Sequence, residues 1–120
     1  MFTIDMMSRV PVYEQIIEQL QSFVLTGVLN TGDQIPSVRS LSVTLSINPN
    51  TIQKAYTELD RRGIIYSVPG KGCFISEDAI NILKSLGKER LKELKNILND
   101  LLVAGITKDE ILSCVNDVYN

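Results

Sequence analysis

Apolar residues recur along this chain at two periods, and each change of period marks a new element. From Pro11 to about Gly27, Val12, Ile16, Ile17, Leu20, Phe23 and Val24 form one stripe. Glu14, Gln15, Glu18 and Gln21 fall outside it, which predicts an amphipathic helix with those four side chains in water. Gly27 supplies a left-handed end. The stretch Val28 to Pro36 is rich in turn formers, and Pro36 keeps Ile35 extended, so Ile35 suits a one- or two-residue strand pairing with a later hairpin. Ser37 caps a short helix with Val38, Leu41 and Leu45 on its inner face. Ser46-Ile47 makes a tight turn. Asn48 is then a good N-cap, and Pro49 fits the first helical position, where its missing N–H costs nothing. Ile52, Ala55, Tyr56 and Leu59 follow at helical spacing, and the helix stops near Arg62-Gly63.

From Ile64 the pattern becomes β-like. Ile64 to Val68 and Cys73 to Ile75 are short β-rich runs around Pro69-Gly70-Lys71-Gly72, which predicts a hairpin. Two short helices joined by a tight turn form a helix-turn-helix, and the hairpin after them reads as a wing. Beyond Glu77 the helical period returns. Ile80, Leu83, Leu91, Leu94, Leu98 and Leu101 lead to a stop at Gly105. Thr107-Lys108-Asp109-Glu110 is a capping box that opens a last helix carrying Ile111, Leu112, Val115, Val118 and Tyr119. Two helices with this much apolar surface cannot bury it on each other alone. They pack on the first helix, on a second subunit, or on both. The expected fold is mostly α with a small β wing: a winged helix-turn-helix over 1–76 and a C-terminal two-helix dimerization segment over 77–120.

The candidate chemistry sits where a core has no use for it. Asn50, Gln53, Lys54, Thr57 and Arg61 point away from the Ile52–Leu59 stripe. Amides and cations on one helix face suit the DNA major groove, where they read base edges and meet phosphates. Lys71, between two glycines that let the backbone come close to another surface, is placed to meet a phosphate. Arg39 stands in a first helical turn, where the helix dipole disfavours a cation, so a phosphate or base contact accounts for it better than solvation does. Arg61 and Arg62 are ambiguous, because cations near a helix C-terminus are favourable without any ligand.

Overall charge changes the picture less than its distribution does. The net charge is −2 and the pI about 5.1, an acidic balance for a nucleic-acid binder. Between Gln34 and Ser76, however, Arg39, Lys54, Arg61, Arg62 and Lys71 outnumber Glu58 and Asp60. The acidic excess lies beyond Glu77. DNA responds to the face it meets within a Debye length of about 8–10 Å. With 44% hydrophobic and 22% charged residues the composition is that of an ordinary globular chain. No apolar run approaches the ~20 residues of a membrane span. The N-terminus lacks a charged region followed by an apolar one, so no secretory signal is expected. Cys73 and Cys114 are too far apart for a metal or redox pair and read as core fillers in a reduced, cytoplasmic protein. The chain has no histidine, which removes Ser-His and Cys-His chemistry, so neither catalytic residues nor metal ligands nor a cofactor are expected.

Taken in order, these motifs resemble the GntR family of transcriptional regulators, and within it the short YtrA-type subfamily, over the whole chain. Ile4-Asp5 and Pro11-Val12-Tyr13-Glu14-Gln15-Ile16 are similar to the subfamily's opening. Gly27-Val28-Leu29 and Gly32-Asp33-Gln34-Ile35-Pro36-Ser37-Val38-Arg39-Ser40-Leu41 resemble the approach to its helix-turn-helix. Asn48 to Tyr56 resembles the recognition helix nearly position for position, and Gly70 to Ile75 the wing. The resemblance implies that Arg39, the polar residues Asn48, Asn50, Thr51 and Gln53, and the tip Gly70 to Gly72 hold operator DNA. With Ser37, Lys54, Tyr56 and Lys71 these make up the candidate DNA-binding residues. Pro49 and Gln53 stand where many relatives carry basic residues, and Ser42 and Ser46 where alanine and glycine are common. The subfamily further implies a homodimer on a two-fold operator, repressing its own operon, often one that encodes an ABC transporter. Any small-molecule effector would bind between subunits or between the two regions, since two helices hardly enclose a pocket of ~300 Å³.

Overall fold

The computed structural model describes residues 1–120. Helix α1 (Val12–Leu25) buries Ile16, Ile17, Leu20 and Val24, as its stripe requires. One of its polar residues departs from expectation. Gln15 is only 8% exposed rather than solvated. Its Nε2 donates to the carbonyls of Asp5 and Val10 at 2.9 and 2.8 Å, and its Oε1 accepts from the Asp5 N–H at 2.9 Å. Those bonds hold the N-terminal segment against the helix. An amide with its partners satisfied can be buried at little cost, and periodicity cannot distinguish it from one in water.

The short strand β1 (Gln34–Ile35) leads into α2 (Val38–Leu45) and α3 (Pro49–Arg61), then the hairpin β2 (Ile65–Val68) and β3 (Gly72–Ile75). The sheet is antiparallel in the order β1-β3-β2, so Ile35 pairs with Cys73, and Ile65 pairs with Ile75. Ile16, Leu20, Val24, Ile52, Leu59, Ile64 and Ile75 are fully buried and form the centre of the core. The core thus joins α1 and α3 to the base of the hairpin, which fixes the wing beside the second helix of the helix-turn-helix. Mostly helical with a small wing, the architecture is the one the periods predict.

Helices α4 (Ala79–Val103) and α5 (Lys108–Tyr119) complete the chain. Contacts divide the protein into two units, Met1–Ser85 and Leu86–Asn120. The division falls inside α4, later than the Ser76/Glu77 boundary read from the sequence, because Ala79 and Leu83 are buried in the first unit's core and Ile82 packs on it. In the second unit Leu98, Leu101 and Ile111 are half-buried, while α5 has no buried residue. The capping box forms: the Thr107 hydroxyl accepts from the Glu110 N–H at 3.2 Å, and the Glu110 carboxylate accepts from the Thr107 N–H at 2.8 Å. The expectation that both cysteines fill a core fails for Cys114. It is exposed, since α5 has no core to fill, and Cys73 on β3 is half-buried. No helix is long and apolar enough to cross a membrane.

Candidate nucleic-acid interface

Three local devices present the polar residues. At the start of α2 the Ser37 hydroxyl accepts from the Ser40 N–H at 3.0 Å, a cap that leaves Arg39 exposed in the first turn. Arg39 belongs to neither ion pair of the protein. The turn into α3 is held by the Ser42 hydroxyl, which donates to the Ile47 carbonyl at 2.5 Å. Ser46, at φ +55, takes the left-handed conformation that glycine adopts freely and serine does not.

Asn48 caps α3, its Oδ1 accepting from the Asn50 N–H at 2.8 Å, with Pro49 in the first turn. Past the cap, Asn50, Gln53 and Lys54 are exposed and Thr51 is half-buried. The Gln53 amide donates to the Thr57 hydroxyl at 3.2 Å along the same face. The Lys54 ammonium lies 3.8 Å from the centre of the Tyr13 ring, a cation–π contact that draws the charge toward α1 while the residue as a whole stays exposed.

Tyr56 has to be corrected. Proposed as a DNA-binding residue, it is 3% exposed, and its hydroxyl donates to the Pro36 carbonyl at 2.7 Å. Burial, and secondarily the neighbouring Cys73 thiol, push the phenol above its ordinary range, so it stays protonated and keeps donating. Its place in the apolar stripe decides its role: it ties α3 to the segment that opens α2.

The two arginines that end the helix have structural partners. Arg61 and Arg62 both bond Glu58, through their Nε at 2.9 Å each, and Arg62 also donates to Gln21 of α1 at 3.0 Å. Hydrogen bonds from Arg61 and then Arg62 hold the Glu58 carboxyl down to about 2. Two arginines share one carboxylate, so this cluster keeps one net positive charge, and between Gln34 and Ser76 Arg39, Lys54 and Lys71 are the cations outside the ion pairs.

At the tip of the wing the Lys71 N–H donates to the Val68 carbonyl at 2.9 Å. Gly70 and Gly72 sit at φ +76 and +120. Lys71 is exposed between them. A residue absent from the candidates joins here: the Gln34 amide donates to the Lys71 carbonyl at 2.9 Å. Gln34 lies within the Gly32–Leu41 motif, but nothing in the sequence points it to the wing, because only the register of a two-residue strand brings it to the tip. Between α3 and the sheet runs an open groove of about 400 Å³, lined by Gln53, Thr57 and Arg61 on one side and Ser67 and Cys73 on the other. Val38, Tyr56, Asp60 and Ile65 complete the lining, so the groove joins the face of α3 from Gln53 onward to β2 and β3 and carries an acid as well as a cation.

Residues 12–75 match the family described as bacterial regulatory proteins, gntR family. The HTH-type transcriptional repressor YtrA of Bacillus subtilis (strain 168) is 40% identical over 119 residues, covering 98% of this chain and 92% of that protein. The crystal structure of a transcriptional antiterminator from Listeria monocytogenes EGD-e is similar with a TM-score of 0.78 and 38% identity, covering 100% of this chain and 90% of that one. The DNA-binding domain of AraR in complex with operator ORX1 is similar with a TM-score of 0.55 and 29% identity, over 62% of this chain and 92% of its own.

Proposed function

The chain belongs to the GntR family, as a YtrA-type, DNA-binding transcriptional regulator, and from that premise we propose that it is a homodimeric repressor of its own operon. The observation that carries the reading is the division of α3. One face of the helix is committed to the core through Ile52, Ala55, Tyr56 and Leu59, and the other presents Asn50 and Gln53 beside a glycine-tipped wing. Amides so placed reach adenine or other base edges in the major groove, while Arg39 and Lys71 meet phosphates on either side. Asn48 and Ser37 keep the two helix ends in place, and backbone N–H groups near Gly70 and Gly72 come close to DNA because no side chain stands in the way.

Dimerization is supported by the exposed apolar residues of the second unit. Leu91, Ile97 and Leu102 on α4, and Val115 and Val118 on α5, stand between 43% and 76% of the way to full exposure in a single copy. A surface of that kind is characteristic of an obligate interface. Two copies related by a two-fold axis would set two recognition helices on two half-sites, so the operator would share the symmetry. Repression follows by occupancy in the bacterial cytoplasm. An operon that includes an ABC transporter, and an effector bound between subunits, complete the proposal.

Sequencing the DNA fragments retained by the purified protein from a random pool tests it. The expected result is an inverted repeat with half-sites about one helical turn apart, one dimer per site, present upstream of the protein's own gene. Enriched fragments with no symmetry, or no enrichment, would overturn it.

A further inference from the structure

A turn with two glycines has many accessible conformations, and ordering one on DNA costs binding free energy. In this wing a side chain from outside the hairpin removes part of that freedom. Gln34 opens β1 opposite Phe74. From there its Nε2 reaches the Lys71 carbonyl at 2.9 Å, across 37 residues of sequence. A second observation points to the same contact. Gly72 stands at φ +120, and a Cβ built there would lie 2.7 Å from that same Nε2. The space beside the Lys71–Gly72 peptide is therefore occupied by the Gln34 amide, and glycine meets two needs at once, the backbone angle and the room.

Gln34 is exposed, so this amide is a strut on the surface and not a piece of the core. By engaging the Lys71 carbonyl it fixes the plane of the peptide that follows Lys71, and with it the station of the Lys71 side chain. We propose that Gln34 is a positioning residue for DNA binding: it pre-orders the wing tip, and sets affinity through Lys71 without reading a base. The inference rests on the reading of the wing as a DNA contact.

Gln34→Met keeps the length and bulk of the side chain and removes its donor. Affinity for the selected operator should fall about three- to tenfold, the range of one net hydrogen bond. Hydroxyl-radical protection beside each half-site should fade while methylation protection in the major groove persists. Hydrogen exchange at the Lys71 and Gly72 amides of the free protein should quicken with the thermal midpoint unchanged, and Gln34→Ala should behave alike. In a Lys71→Ala background the effect of Gln34→Met on affinity should shrink, because both act through one tip. If Lys71→Ala weakens binding and Gln34→Met does not, or if the two effects simply add, the positioning role is overturned with the wing reading intact. If Lys71→Ala itself changes neither affinity nor protection, the wing reading fails and the inference falls with it.

Discussion

Asn50 and Gln53 are separated from Lys71 by what their side chains can do, although all three are exposed. An amide presents a donor and an acceptor at fixed spacing and discriminates between bases; an ammonium on a glycine-flanked tip responds to charge. Asn50→Ala or Gln53→Ala should therefore cost about 1–3 kcal/mol at a preferred operator and relax selectivity there. Lys71→Ala should weaken all duplexes by a similar factor and make the salt slope shallower by about one unit. Titrating the three variants against a preferred and a scrambled duplex checks the division. A change of sequence preference in Lys71→Ala alone would reverse the roles. As exposed positions most of these residues were legible in the sequence, because a polar residue off an apolar stripe is a signal in itself. Tyr56 was not, since an aromatic on the stripe with a polar tip fits core and surface alike until its Pro36 partner is seen. Arg61 and Arg62 were ambiguous for a related reason: Glu58 and Gln21 satisfy them from within the fold.

Among the elements, the turn between α2 and α3 is the most constrained. Ser46 stays in the left-handed region, at a cost of roughly 1–2 kcal/mol for a residue with a Cβ, and the hydrogen bond from Ser42 to Ile47 helps keep it there. Ser42→Ala should destabilise the protein by about 1 kcal/mol through the lost bond. Ser46→Gly should stabilise it by about 0.5–1 kcal/mol, the relief being partly offset by the freer unfolded chain. Urea denaturation at fixed protein concentration measures both, and a stabilising Ser42→Ala would show that the hydroxyl does not support the turn. Helices and hairpin were readable because their periods and caps are local properties. Long-range side-chain contacts were not: Gln15 clasping the N-terminal segment and Gln34 bracing the wing depend on which segments meet. The same limit explains why the first turns of α4, which read as part of a separate segment, join the first unit's core.

For the molecule as a whole, the local charge of each segment matters more than the sum. On α2, α3 and the wing tip Arg39, Lys54 and Lys71 stand outside ion pairs beside few carboxylates, whereas from Glu77 onward the cations are outnumbered by acids and interspersed with exposed leucines and valines. A chain of net charge −2 can act on a polyanion because DNA responds to charges within ~8–10 Å of the face it meets, and between Gln34 and Ser76 cations outnumber carboxylates; the proposed dimer would present two such faces. If the two faces neutralise ~6 phosphates, the logarithm of the association constant should fall with the logarithm of salt at a slope of about −5. The most direct test is the affinity of the purified protein for its selected operator and for a scrambled duplex of equal composition, measured from about 50 to 200 mM salt, a range over which such a binder loses orders of magnitude. A clear preference for the operator is expected at every salt concentration, with the steep slope just given. Equal affinity for the two duplexes, or a flat response to salt, would contradict it.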